Sequence, residues 1–400
     1  MNLAPSVAVI SSEYPPNICG GLGVHVAKMT ASVSERMKCD IFIPQRGDYA
    51  PLHRNIKINE IEVPDSTNEL EFWLRFCYAT VRSIQCSPFA AQILHCHDWM
   101  TILAGVKLRQ MFGLPLFFNV HLPEHIGSRL HLENIGLVAA DVVIVNSWKV
   151  REELLERQLP IRSIQVVPNG VDASEFCLSS EWPNDDGYIL FVGRLVAQKG
   201  VDLLLQAFAV ILRRWPQSKL VIVGDGDLEL YLKRLVRYLG IGHRVRFVNW
   251  QTGPALVEFF QRSQAVVVPS YYEPFGMVAL EAMACGRPVV VSEVGGLSEI
   301  IEDGIHGYLI PRGDYLELAR RLSSLISSPT QRHEIGASAR ARALTYTWET
   351  SASQTVNLYD RLIGEPLTTN QTQALEKVAQ PLFKEVDGLE PIARELLGLA

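Results

Sequence analysis

The sequence has no disulfide framework, no long apolar run and no excess of positive charge. Its seven cysteines, Cys19, Cys39, Cys77, Cys86, Cys96, Cys177 and Cys285, are odd in number and show no paired spacing. That pattern fits reduced thiols in a cytoplasmic protein. No apolar stretch approaches the roughly 20 residues that cross a bilayer. The opening residues carry no basic segment ahead of a short apolar run, so they read as a first buried strand and not as a leader. Lys and Arg number 37 against 43 Asp and Glu, for a net charge of -6. With no basic block or basic-aromatic stripe, nothing offers an electrostatic grip on nucleic acid. The same mixture of signs argues against strong attachment to anionic lipid and leaves peripheral membrane contact open. What is present is ordinary globular composition, 48% hydrophobic and 20% charged over 400 residues, a length that favours two or three domains.

Short apolar runs alternate with longer amphipathic ones in the first half, starting with Val7–Ile10 and closing with Ile164–Val167. Such alternation implies a parallel sheet covered on both faces. Val167-Pro168-Asn169-Gly170-Val171-Asp172 then reads as a turn, and the alternation restarts at Tyr188–Val192. The expected organisation is two Rossmann-like, doubly wound α/β domains facing across a cleft. Their spans are residues 1–170 and 171–345, followed by a helix over 346–363 and a tail, 364–400, of no assigned role. Within that tail only Leu389–Leu397 shows amphipathic spacing, and Asn370-Gln371-Thr372 matches a glycosylation acceptor that matters only in a secreted chain.

Four segments carry candidate chemistry. In Tyr272-Glu273-Pro274-Phe275-Gly276-Met277-Val278-Ala279-Leu280-Glu281, a carboxylate precedes a turn that opens a helix. Helix N-termini attract phosphate oxygens, and Gly276 has no side chain to obstruct a ligand. A wholly helical segment would set Glu273 and Glu281 about 12 Å apart, beyond the roughly 5–9.5 Å of a glycosidase pair. The two carboxylates therefore suit two parts of one long ligand, Glu273 taking sugar hydroxyls and Glu281 a ribose. In Gly193-Arg194-Leu195-Val196-Ala197-Gln198-Lys199 a glycine ends a strand, and two cations follow that can converge on a diphosphate.

The third segment, Gly20-Gly21-Leu22-Gly23-Val24-His25, is a glycine turn at a helix start; by itself it equally suits tight packing. The fourth is His95-Cys96-His97-Asp98-Trp99 with His121 at the end of the next strand. In a strand His95 and His97 share a face and Cys96 points away, and no second cluster completes a tetrahedral set, so no metal site is expected. Asp98 and His121 fall at carboxyl ends of strands, where ligands of such sheets bind, although a satisfied structural histidine is an alternative for His121. Gly224-Asp225-Gly226-Asp227 contains a D-x-D string, read here as a helix start capped by Asp227.

Taken together these motifs resemble the retaining family-4 glycosyltransferases of the GT-B fold, in particular the glycogen-synthase-like and sucrose-synthase-like group, over residues 6–363. The resemblance rests on Glu273 to Glu281 with its Glu-Pro-Phe-Gly start, on Gly193-Arg194 with Lys199, and on Glu13-Tyr14-Pro15-Pro16 ahead of the glycine turn. His97-Asp98-Trp99 with His121 adds to it. It implies that Arg194 and Lys199 bind the donor diphosphate, and that Glu273 with the backbone of Phe275, Gly276, Met277 and Val278 holds the donor sugar. Glu281 would hold the ribose, Gly20 and Gly21 would approach the phosphate, and His121 with Asp98 would stand near the reacting carbon. The implied substrates are a nucleotide-diphosphate sugar, UDP- or ADP-linked, and a hydroxyl acceptor, with no cofactor and no metal. Two departures, Cys19 in place of a lysine and a short stretch between His121 and Asp141, argue against a long glucan as acceptor. A sugar-nucleotide epimerase and a non-catalytic nucleotide-sugar-binding protein are the competing readings. The oligomeric state is undetermined.

Overall fold

Runs such as Ser6–Ile10, Ile93–His97 and Leu116–Val120 are buried along their whole length. Strands in that position need apolar side chains on both faces, which is why the sequence shows unbroken runs there and not alternation. The computed structural model describes residues 5–179, 187–365, 372–386 and 388–399; Asn370 and Gln371 of the glycosylation match lie outside them. The chain divides into two compact units, one formed by Met1–Pro168 with Trp348–Ala400 and the other by Asn169–Thr347.

The first unit runs β1 (Ser6–Ile10), α1 (Gly21–Val33), β2 (Lys38–Pro44), β3 (Ile56–Ile61), α2 (Glu69–Gln85), β4 (Ile93–His97), α3 (Ile102–Phe112), β5 (Leu116–Val120), α4 (Gly127–Ala139), β6 (Val142–Val145), α5 (Trp148–Glu156) and β7 (Ile164–Val166). Its seven strands are parallel in the order β3-β2-β1-β4-β5-β6-β7. The order reverses between β1 and β4, so the loops leaving those two strands diverge and open a crevice at their carboxyl ends.

The second unit runs β8 (Tyr188–Val192), α6 (Val201–Arg214), β9 (Leu220–Val223), α7 (Glu229–Tyr238), β10 (Val245–Val248), α8 (Gly253–Gln261), β11 (Ser263–Val268), α9 (Met277–Ala284), β12 (Val289–Ser292), α10 (Leu297–Ile300), β13 (Gly307–Ile310), α11 (Tyr315–Ser327) and α12 (Pro329–Ala343). Six parallel strands lie in the order β10-β9-β8-β11-β12-β13, and the reversal falls between β8 and β11.

Three more helices, α13 (Trp348–Leu362), α14 (Thr372–Phe383) and α15 (Glu390–Leu397), complete the first unit. Ala352, Val356 and Tyr359 of α13 pack with Val26, Val9 and Phe117 on one face of the sheet. The tail is structural. Leu375, Ala379, Leu382 and Phe383 of α14, with Leu396 and Leu397 of α15, join the core on the other face, among Leu94, Phe118 and Ile135. Among the described residues no helix is long and apolar enough to cross a membrane.

Candidate active site

In the second unit the loops that leave β8 and β11 are tied together. Gly193 and Gly224 touch backbone to backbone: a Cβ at Gly224 would fall 2.0 Å from the Gly193 carbonyl oxygen. The Leu195 amide donates to the Asp225 carbonyl at 2.6 Å, and the Leu228 amide to the Leu195 carbonyl at 3.0 Å. The Gly-Asp-Gly-Asp string is thus a buttress for the Gly193-Arg194 loop. It corrects the capping expectation, because α7 begins after Asp227 with Leu228 at its N-cap and no side-chain cap. Further along, the Tyr271 amide donates to the Gln198 carbonyl at 2.8 Å, and Gln198 Nε2 donates to the Tyr272 carbonyl at 3.1 Å.

These ties bring Lys199 to Glu273. Lys199 Nζ donates to Glu273 Oε2 at 2.7 Å, and Ser270 Oγ donates to the same oxygen at 2.9 Å. The motifs assigned the two charges to different parts of a ligand; in the structure each is the other's counter-ion in a largely desolvated place. Arg194 is exposed on the loop after β8. Glu273 lies in the bend before α9, so the fully helical spacing to Glu281 does not apply; Glu281 is buried within the helix. Gly276, at φ 110, is the N-cap of α9, and no side chain caps it. The amides of the first turn, around Met277 and Val278, therefore remain available to an anion. Phe275 offers only its backbone, because its ring is buried edge-on against Tyr346.

Gly295 and Gly296 belong to this site although no motif singled them out. The Gly296 amide donates to the carbonyls of Glu273 and Pro274, both at 3.2 Å. A Cβ on Gly295, whose φ is +50, would lie 1.9 Å from the Glu273 carbonyl oxygen. Two glycines ahead of a short helix read as an ordinary turn; the contact that demands them crosses from another loop.

In the first unit the crevice between β1 and β4 collects Gly20, Gly21, His97, Asp98 and, from the end of β5, His121. Gly20, at the N-cap of α1, has nothing within 4 Å of where a Cβ would stand. Part of that helix start is already filled: Glu13 Oε2 accepts the Cys19 amide at 3.0 Å and the Gly23 amide at 3.2 Å. A carboxylate of the chain itself thus shares the place assigned to phosphate. Asp98 adopts a left-handed backbone, φ 56, and its Oδ1 accepts the His121 amide at 2.7 Å. Burial pushes its carboxyl well above the ordinary range against that hydrogen bond. Asp98 therefore holds the main chain of His121.

His25, from the first helix, stands edge-on to His121 with ring centroids 4.4 Å apart. The ligand nitrogens of His25, His97 and His121 lie within 4.8 Å of one another. Burial drives His97 and His121 well below the usual imidazole range, so both are neutral, as metal ligands must be. Three imidazoles of this kind could hold a transition metal ion by residue type. His121 Nε2 is nevertheless engaged already, by His97 Nδ1 at 3.0 Å and Asn119 Nδ2 at 3.2 Å.

Lys199 paired with Glu273 ahead of an uncapped helix start suits a ligand that carries both phosphate and hydroxyl groups. Comparison with known proteins agrees. The family model described as glycosyl transferases group 1 matches residues 175–342, and that of glycosyltransferase family 4 matches residues 19–175. An uncharacterized glycosyltransferase of Methanocaldococcus jannaschii is 33% identical over 384 residues, covering 88% of this chain and 97% of its own. The glycogen synthase of Mycobacterium tuberculosis is 28% identical over 390 residues, covering 88% and 94%. Sucrose-phosphate synthase from Thermosynechococcus elongatus superposes with a TM-score of 0.80 at 25% identity, covering 90% of this chain and 99% of that one. The chain belongs to the family-4 glycosyltransferases of the GT-B fold, in the group similar to glycogen and sucrose-phosphate synthases.

Proposed function

We propose that this enzyme moves a hexosyl group, glucosyl by analogy with its glycogen- and sucrose-phosphate-forming relatives, from a nucleotide-diphosphate sugar to a hydroxyl acceptor. The transfer retains the anomeric configuration and needs no metal ion. The observation that carries this reading is the Lys199–Glu273 ion pair beside the uncapped start of α9. An incoming diphosphate competes for Lys199, and the sugar hydroxyls then replace the ammonium on Glu273. One charge exchange thus readies both ends of the donor.

As the bond from the anomeric carbon to the β-phosphate oxygen breaks, its electrons move onto the phosphate. Lys199, Arg194 and the first amides of α9 stabilise that charge. The acceptor oxygen bonds to the same carbon and passes its proton to the departing phosphate. Glu281 takes the ribose, Gly20 and Gly21 admit the diphosphate, and Asp98 sets the backbone of His121, which meets the donor sugar. Lys199→Ala and Glu273→Ala are expected to lower turnover by at least about 10²-fold, the usual cost of one such group, with unchanged circular dichroism. Near-normal transfer of radiolabelled hexose by either variant refutes the assignment.

A further inference from the structure

One amide oxygen at the rim of the first sheet is buried with no donor to meet it. Asn146 is the first residue after β6, as His121 is the first after β5. The two strands run parallel with Val120 opposite Val145, so His121 and Asn146 leave the sheet side by side. Side chains alternate between the two faces of a sheet. Phe117, Val142 and Ile144 pack on the side of α1 and α13, while Phe118, Val120, Val143 and Val145 pack on the other. His121 and Asn146 continue the first series. The His25 ring of α1, with its centroid 4.4 Å from that of His121, marks the same side.

Asn146 is 5% exposed, and its Oδ1 has no hydrogen-bond partner among the described residues. His121 does not supply one from Nε2, which is taken by His97 and Asn119. Nor is Asn146 the cap of the helix that follows, because Ser147 Oγ accepts the Val150 amide at 3.2 Å. An unsatisfied buried oxygen works against folding, and a leucine of nearly the same shape would carry no such cost. The folded chain by itself thus gives no reason for an amide here. A carbonyl oxygen can only accept, and it bears no charge to attract or repel a phosphate. The ligand group that suits it is a hydroxyl.

We infer that Asn146 is a further substrate-contacting residue, whose Oδ1 accepts a hydroxyl of the donor sugar beside His121. The inference rests on the reading above in which His121 meets that sugar. A site built to bond one hydroxyl rejects the analogue that lacks it, because its own polar group is then left unpaired. Asn146 therefore makes binding depend on a single hydroxyl of the hexose.

The test is Asn146→Leu, which keeps the shape and removes the polar atoms. Titration calorimetry needs no acceptor and compares UDP-glucose and ADP-glucose, their monodeoxy analogues, and UDP and ADP alone. The variant should bind the intact sugar nucleotide about 10–100-fold more weakly and the bare nucleoside diphosphate as wild type does. One monodeoxy analogue should bind wild type and variant equally, and the variant should melt at or above the wild-type temperature. Binding of the sugar nucleotide within about twofold of wild type overturns the inference. So does an equal loss for the bare diphosphate, or a lower melting temperature, which would make the amide a part of the core. Lys199→Ala, measured alongside, should weaken both kinds of ligand, so a failure of the diphosphate assignment is seen separately from a failure at Asn146.

Discussion

Replacing Gly295 with alanine tests whether Glu273 is set by a loop that never touches the donor. The new Cβ would stand 1.9 Å from the Glu273 carbonyl oxygen and 2.9 Å from its carbon. Real Cβ contacts stop near 3.0 Å, so one backbone must retreat by about 1 Å. The left-handed φ of +50 adds about 1 kcal/mol, and overpacking adds about 1–3 kcal/mol. Stability should fall by a few kcal/mol, which a folded domain can survive. The same displacement moves a residue whose carboxylate is fixed by Lys199 and Ser270. A misplacement of that size costs on the order of 10²-fold in rate. Steady-state transfer at saturating donor, with a thermal melt alongside, reads both effects. Gly20→Ala, in open space with an extended backbone, should melt like the parent protein. Turnover within twofold of wild type for Gly295→Ala would refute the argument.

Gly224→Ala, clashing at 2.0 Å with the Gly193 carbonyl, should weaken donor binding through the Gly193-Arg194 loop, measured as a reduced thermal shift on adding sugar nucleotide. Leu382→Ala, in a fully buried position of α14, should cost about 2–5 kcal/mol by urea denaturation; no loss would mean that the tail does not belong to the first unit's core. His95, lowered to about 3 by burial, stays neutral when folded. Its contribution is full above the unfolded value of about 6.5 and is lost as pH falls toward 3, by about 2 kcal/mol between pH 7 and 5. Glu133, raised by burial to about 7, works in the opposite sense over that range. The measurement therefore compares Glu133→Gln with Glu133→Gln/His95→Asn, and an identical pH slope in both would refute it.

The sequence disclosed what depends on local pattern. Doubly buried strands had to be apolar throughout, so β1, β4, β5 and β6 were legible as runs, and the restart at Tyr188 marked a second unit. Glycines beside charges at strand ends pointed to Gly193, Lys199 and Glu273. Contacts between distant loops were not legible. Nothing in Val294-Gly295-Gly296-Leu297 announces the backbone of Glu273, and nothing near Lys199 announces that carboxylate as its partner. The helix α14 escaped notice because Pro381 interrupts its pattern. His25 could have been found: it follows Gly21 by one helical turn, and its side of α1 is buried. His95 and Tyr359 are separated by most of the chain and meet only where α13 covers the sheet.

The first unit begins at the amino terminus but is closed by α13, α14 and α15. A ribosome therefore finishes the second unit before the first has its covering helices. Until residues 348–399 emerge, the sheet face around Phe117 and the helices around Phe118 stay bare to water. A product ending near Thr347 would keep the Lys199–Glu273 pair and lack Tyr359, whose hydroxyl meets His95 in the first unit.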